Sequence, residues 1–356
     1  MFPTTSTPVI EDLRKLDDMI AQSTLFDMSK HDHHGEYKGF SFDENARLLV
    51  PNVGLFAKLS AGTPPLALTR NSLSQICSLL GKVVYGKSSG GTVPSKYIEA
   101  IPADLRATIL NRHLSDYKDD GRLLARCYED NVRAFVSDRY AKIDNTEVLT
   151  MLRQVLEDKA QNAPVRFVRS FVNPDETHVK MTIKETRIRD DDSGNYGVGV
   201  YVGNDEIGGT SLKVRPLIQR HACTNSIIPN VEIASFDVRH VGNAAAIMMQ
   251  FASALVQALS MGEKVLNRFA EAKYIELPNF TDVLSGLAEA HSWSDEMKFA
   301  VAAGTENSAT VQGIVNGISF AAHSVRELSD TARIDLEQLA GDYLFAPISR
   351  FNALAR

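Results

Sequence analysis

The stretch Val165-Arg-Phe-Val-Arg-Ser-Phe-Val-Asn-Pro-Asp-Glu-Thr-His-Val-Lys-Met-Thr-Ile-Lys184 decides the fold. Asn173-Pro-Asp-Glu176 joins a proline with fixed φ to Asn and Asp side chains that bond their own backbone, so it reads as a turn. The runs on either side, 165–172 and 178–188, then form an antiparallel hairpin. Side chains alternate along a strand, which puts Val179, Met181 and Ile183 on one face of the second arm. His178, Lys180, Thr182 and Lys184 take the other.

Upstream of the hairpin, 133–140 alternates as a strand that ends at Ser137-Asp138. A helix over 146–160 carries Val148, Leu149, Leu152, Val155 and Leu156 on one face. Downstream, Tyr196, Val198, Val200 and Val202 alternate with Gly197, Gly199, Tyr201 and Gly203. Small residues on one face predict close approach of a backbone or a ligand. Gly208-Gly209 turns the chain into a strand over 212–219, and 227–235 reads as a last strand. Short strands packed so closely point to an antiparallel or mixed sheet, not a doubly wound parallel one.

Beyond Gly242 the period becomes helical. A long helix over 243–273 carries Ile247, Met248, Phe251, Leu255 and Leu259, with a break near Gly262; helices over 282–290, 295–303, 310–328 and 330–345 follow. Before the central block, helices over 69–80, 94–100 and 103–114 make a small unit. The first part of the chain reads as irregular apart from a helix over 10–21 and a short strand at Leu48-Leu-Val-Pro51, with 30–42 a loop. The expected fold class is α+β: a central antiparallel or mixed sheet with hairpins, packed against a long helix, with helical N-terminal and C-terminal regions. Its expected divisions are an N-terminal extension (1–68), a helical unit (69–130), a β-rich core (131–242) and a helical region (243–356).

Hydrophobic residues make up 44% of the 356-residue chain and charged residues 23%, which excludes wholesale disorder. The cysteines, Cys77, Cys127 and Cys223, are odd in number and form no CxxC pair. That argues against a disulfide framework or a cysteine-based zinc site and suits a reducing compartment. Residues 1–8 lack the basic and apolar parts of a signal peptide. The apolar stretch over 244–258 is interrupted by Gln250, Ser253 and Gln257 and reads as a buried helix. The expectation is a cytoplasmic protein of a bacterial cell, with no membrane partner.

Formal net charge is −6, which weighs against a broadly basic nucleic-acid binder. Residues 1–130 hold 15 basic against 16 acidic side chains, 131–240 hold 15 of each, and 241–356 hold 8 against 13. Contacts to an anionic partner therefore have to come from the first two thirds.

His31-Asp-His-His34 has residue types that ligate transition ions, but the same residues suit a solvated loop, and no metal site is expected from them. Gly197-Val-Gly199 and Gly208-Gly209 fit neither a P-loop nor a dinucleotide fingerprint, so no cofactor is expected. His221 and Cys223 lie two apart, as a base and nucleophile on one strand face would, yet a packed thiol is the simpler reading. No catalytic residues are assigned. Cations are more informative. Arg166, Lys180, Lys184, Lys213, Arg215 and Arg220 lie on or beside predicted strands, with Tyr201 and Tyr140 available for stacking, the pattern by which single strands are held. The competing reading is a solvated sheet face with compensating acids, among them 190–192.

Arg133-Ala-Phe-Val-Ser-Asp-Arg-Tyr-Ala-Lys-Ile-Asp-Asn145 resembles the RAxxSDRYxxIDN segment of a phage- and plasmid-borne family, catalogued as domain of unknown function nine-three-two. Val214-Arg-Pro-Leu-Ile-Gln-Arg-His-Ala-Cys-Thr-Asn225 is similar to its RxxCTN segment, although Ser226 stands where that family usually has Gly. Leu79-Leu-Gly81, Pro94-Ser-Lys-Tyr97 and the 311–344 helices with Asn316, His323 and Ala340-Gly341 are similar to further parts, so the likeness spans about residues 70–345. The resemblance implies a role in mobile-element DNA metabolism or host interaction. A hairpin sheet on a long helix is also architecturally similar to single-strand annealing proteins, which form rings or filaments. The expected function is a homo-oligomeric accessory protein that binds single-stranded DNA and promotes annealing or recombination. The alternative is a factor that binds a host or phage protein through its acidic C-terminal third.

Overall fold

The computed structural model describes residues 8–36, 39–49, 65–85, 93–116, 122–159, 165–187, 195–220 and 226–355. The N-terminal elements are α1 (Pro8–Met28), β1 (Lys30–Glu36), β2 (Ser41–Phe42), β3 (Leu48–Leu49), β4 (Ala67–Leu68), α2 (Arg70–Tyr85), α3 (Ser95–Ala100) and α4 (Ala103–Asp116). Centrally lie β5 (Arg122–Tyr128), β6 (Asn131–Ser137), α5 (Asn145–Lys159), β7 (Arg166–Phe167), β8 (Phe171–Val172), β9 (Glu176–Arg187), β10 (Asn195–Asp205), β11 (Leu212–Arg220), β12 (Ser226–Ile227) and β13 (Phe236–Val238). The C-terminal helices are α6 (Ala244–Glu271), α7 (Phe280–Ala290), α8 (Asp295–Gly304), α9 (Val311–Ser324), α10 (Asp330–Leu344) and α11 (Ile348–Leu354).

The chain is α+β, with one mixed and one antiparallel main sheet. The first runs β1-β5-β6-β4, with β4 parallel to β6 and the other pairs antiparallel. The second runs β12-β11-β10-β9-β7, with β13 added to β11 and β8 to β9. Its hairpin turn closes as the sequence suggests: Asn173 Oδ1 accepts from the N–H groups of Asp175 and Glu176, both at 2.8 Å.

The alternation of β9 to β11 sorts the second sheet into two faces. Val179, Met181, Val200, Val202 and Val214 pack with Phe251, Leu255 and Ala258 of α6 and Leu149 and Leu152 of α5. On the opposite face, Tyr201 and Leu217 meet Ile228 and Ile334 of α10. The sheet is therefore covered on both sides. The glycines do bring backbones together: a Cβ at Gly199 would lie 1.9 Å from the Met181 carbonyl oxygen, where the β9–β10 register shifts. The α2–α4 helices cover the first sheet, with Leu73, Ile76 and Leu110 against Ala125, Cys127 and Val132.

Several expectations change. Residues 30–36 form β1 instead of loop, because β5 supplies a partner for every residue from Lys30 to Glu36. That partner strand lies inside the span read as a helical unit. Of the 227–235 segment only Ile227 pairs with β11, as the end of the two-residue β12. The helix expected over 310–328 stops at Ser324, and α11 adds a helix near the C-terminus. No break occurs at Gly262, which lets α6 press onto β10: a Cβ there would sit 2.7 Å from Val198 Cβ. Over Ala244–Tyr274 the chain is long and apolar enough to cross a bilayer, by length and composition. In this fold its apolar stripe, including Ile247, Phe251, Leu255 and Val265, is buried in the core.

Candidate functional site

Lys180, Tyr201 and Arg215 are brought together as the strand pattern implies: Tyr201 pairs with Lys180 on one side and Arg215 on the other. The row lies beneath α10, not on a surface. Lys180 is 1% exposed, and its Nζ donates to both carboxylate oxygens of buried Glu337 at 2.9 and 2.8 Å. His323 Nε2 lies 3.0 Å from the same carboxylate. Tyr201 is buried with its hydroxyl 2.8 Å from His178 Nδ1, and burial pushes its pKa far above the usual phenol range. Arg215 is buried with Asp237 and Asp342 carboxylates at 3.7 and 3.8 Å. In this fold none of the three can reach a phosphate or a base. Nearer the surface, Arg166 pairs with Glu185, Lys184 with Glu263 and Arg220 with Glu306. These cations are dispersed and already matched with acids, so they form no common track. Lys213 differs: among the described residues it makes no ion pair. His221, Cys223 and acids 190–192 lie outside the described residues.

The Arg133–Asn145 motif builds the joint between the two sheets. At its centre is Glu206, fully buried, with Lys30 Nζ at 2.7 Å, Arg133 Nη2 at 3.3 Å and Arg126 Nη2 at 3.7 Å. The Asn145 N–H donates to its Oε1 at 2.7 Å. Arg126 also donates to the Asp144 carboxylate at 2.6 Å and to the Glu206 carbonyl at 2.7 Å. Burial, offset in part by Lys30, raises the Glu206 carboxyl. At Asp144 burial also raises the pKa, but Arg126 and Lys142 outweigh it and hold the carboxyl below its ordinary range. Charges desolvated in this way are tolerated only when paired.

The rest of the motif opens onto a cleft of about 780 Å³, lined by Ser137, Tyr140, Thr210, Lys213, Arg239 and His240 among others. That volume lies within the usual range for ligand sites. The Tyr140 N–H donates to the Ser137 carbonyl at 3.0 Å, which closes the turn. Asp138 and Arg139 beside it are exposed and make no ion pair with each other among the described residues. The Tyr140 hydroxyl donates to the Asp205 carbonyl at 3.2 Å and lies 2.5 Å from His240 Nδ1. The Asp205 carboxylate accepts from the N–H groups of Ile207 and Thr210 at 2.8 and 2.9 Å, fixing the Gly208-Gly209 wall. There Gly208 has φ +77°, which favours glycine.

Three charged side chains face this cleft, and one is engaged. Asp237 accepts from the Ser211 hydroxyl and faces Arg215. Lys213 and Arg239 make no direct ion pair among the described residues, although the Lys213 charge acts on the Asp335 and Asp342 carboxyls from a distance; Arg239 is exposed. Burial, with Arg126 next, pushes the His240 pKa down to about 4, so the ring is neutral at pH 7. Its Nε2 is buried with no hydrogen-bond partner among the described residues. The cleft thus offers two cations to the phosphates of an anionic ligand and the rings of Tyr140 and His240 to an apolar or aromatic part of it. Tyr140 was legible through its motif and Lys213 through its strand. Arg239 and His240 follow β13 in a segment with no motif, and only the fold brings them there.

No family model, curated protein or solved structure matches the chain.

Proposed function

We propose that the protein binds single-stranded nucleic acid, and that the cleft between the sheets receives the strand. What supports this reading is the convergence of Lys213 and Arg239, neither ion-paired among the described residues, on one cavity beside Tyr140 and His240. Phosphate oxygens meet the two cations, and a base stacks against the aromatic wall, the combination by which single strands are held without sequence preference. The buried row of Lys180, Tyr201 and Arg215 has a structural role. Net charge of −6 keeps the affinity of one cleft low, so the proposal includes a homo-oligomer that places several clefts on one strand. Annealing or recombination is the activity such an array would serve.

The test is anisotropy of a labelled oligonucleotide over a salt series, for the wild-type chain and Lys213→Glu/Arg239→Glu. The expected result is binding at low salt that weakens at least tenfold in the variant. The log–log salt slope should fall by about 0.7 for each lost phosphate contact. No binding at low salt, or equal binding by the variant, overturns the reading.

A further inference from the structure

The first sheet holds a second cluster that nucleic-acid binding does not use. In the β1–β5 ladder, His31 pairs with Cys127 and His33 with Ala125. Alternation sends His31, His33 and Cys127 to one face, while Asp32 leaves the other to meet Arg126 at 3.5 Å. One ligand atom from each of the three lies within 4.8 Å of the others. The two imidazoles stand edge to face, with centroids 5.1 Å apart and an interplanar angle of 82°. His33 Nε2 is buried without a hydrogen-bond partner among the described residues. The Cys127 sulfur makes only a weak 3.8 Å contact to the Ala125 carbonyl. A buried imidazole nitrogen with no partner, aligned with a second imidazole and a thiol, is a donor set without an acceptor.

We propose that His31, His33 and Cys127 form a binding site for a transition metal ion of the Zn²⁺ type. Bonds of about 2.0–2.3 Å put neighbouring ligand atoms of tetrahedral zinc roughly 3.5 Å apart. The present spacing therefore needs only modest side-chain rotation. One thiolate and two imidazoles select zinc, cobalt or copper over magnesium or calcium, which prefer oxygen. Three protein ligands leave one coordination position open. Both histidines bind as neutral rings, and burial already holds the His33 pKa below its usual value. Cys127 carries its proton in the free protein, because burial, with Asp32 next, pushes the thiol up to about 12. The metal takes the sulfur lone pair and one proton leaves, so affinity rises with pH. Nothing local in the sequence links Cys127 to His31-Asp-His-His34, because the thiol reaches the histidines only through long-range strand pairing.

Titration of the reduced, chelator-treated full chain with Co²⁺ reads the site directly. The expected result is a thiolate-to-cobalt charge-transfer band with tetrahedral visible absorption, saturating at one ion per chain and displaced by Zn²⁺. Cys127→Ala should abolish the charge-transfer band, while Cys77→Ala and Cys223→Ala keep it. His31→Ala and His33→Gln should each weaken binding at least tenfold, and His34→Ala should leave it unchanged. Circular dichroism of each metal-free variant establishes that it is folded; His31 is half-buried, whereas Cys127 is fully buried, so His31→Ala depends less on core packing than Cys127→Ala. Absence of a charge-transfer band in the wild-type chain, its persistence in Cys127→Ala, or unchanged affinity in folded His31→Ala overturns the proposal. None of these readouts involves nucleic acid, so the cleft reading stands or falls separately.

Discussion

Lys213 and Arg215 lie two residues apart on β11, so their side chains leave the same face of one strand. Arg215 is buried between Asp237 and Asp342, with Lys180 and Tyr201 in the same covered region. Lys213 lies at the rim of the cleft with no ion pair among the described residues. The contrast teaches that strand position and residue type do not decide whether a cation is a contact or a structural counter-ion. Coverage decides, and it comes from α10, an element far along the chain. The experiments that sharpen this contrast run from the covered region outward.

The largest effect belongs to Lys180. Its replacement by Met leaves Glu337 fully buried with only His323 beside it, and the loss should be about 3–5 kcal/mol in urea unfolding. Adding Glu337→Leu should recover most of that loss, since two apolar side chains need no counter-charge. A Lys180→Met chain as stable as wild type would mean that the row is open to solvent and that the covered region resembles the cleft after all.

Next is the pH response of His240. Its folded pKa of about 4 lies below the ordinary 6.5, so the unfolded chain binds the proton more readily. Stability from the neutral ring is complete above about pH 6.5 and is lost as pH falls toward 4. At 1.36 kcal/mol per pKa unit the full loss is about 3 kcal/mol. Unfolding midpoints between pH 4.5 and 7.5 should fall less steeply in His240→Gln than in wild type. Equal slopes would place the imidazole in solvent and remove it from the cleft wall.

How much of this was legible follows from the range of the interactions. The 165–184 hairpin, its turn and its two faces could be read because every signal lies within twenty or so residues. So could α6, whose apolar stripe is continuous. Residues 30–36 are polar and carry no strand signature of their own; β1 exists because β5 pairs along its length. Likewise the six cations and Tyr201 were assigned correctly to strands or their edges, but nothing near them in sequence announces Glu337, Glu263 or Glu306 as partners. Arg133, Asp144 and Asn145 belong to one motif legible in the sequence, yet the buried cluster they enter depends on Lys30 of β1, Arg126 of β5 and Glu206 just past β10.

Gly199 tests the covered sheet by its backbone. A methyl there meets the Met181 carbonyl oxygen at 1.9 Å and Thr182 Cα at 2.6 Å, atoms that cannot rotate aside. Gly199→Ala should cost about 1–3 kcal/mol, as overpacking does, by forcing β9 and β10 apart at their register shift. Amide exchange should quicken in β9 and β10 and remain unchanged in β1 and β5. If protection falls equally in both sheets, the two regions unfold as one and the contrast between them is geometric only.

The smallest stability effect, and the sharpest use of the contrast, belongs to Lys213→Ala. With no ion pair among the described residues and no full burial, the side chain stabilises little, and unfolding should stay within about 0.5 kcal/mol of wild type. The same holds for exposed Arg239→Ala. Oligonucleotide binding should nevertheless weaken in both, because a cation at a cleft rim with no direct ion pair among the described residues is available to a phosphate. Lys180→Met should show the reverse: lost stability, with binding retained in the fraction that is folded. If Lys213→Ala destabilises the fold as Lys180→Met does, Lys213 is a counter-ion like its neighbour Arg215. The cleft would then lose one of the two cations on which its nucleic-acid reading rests.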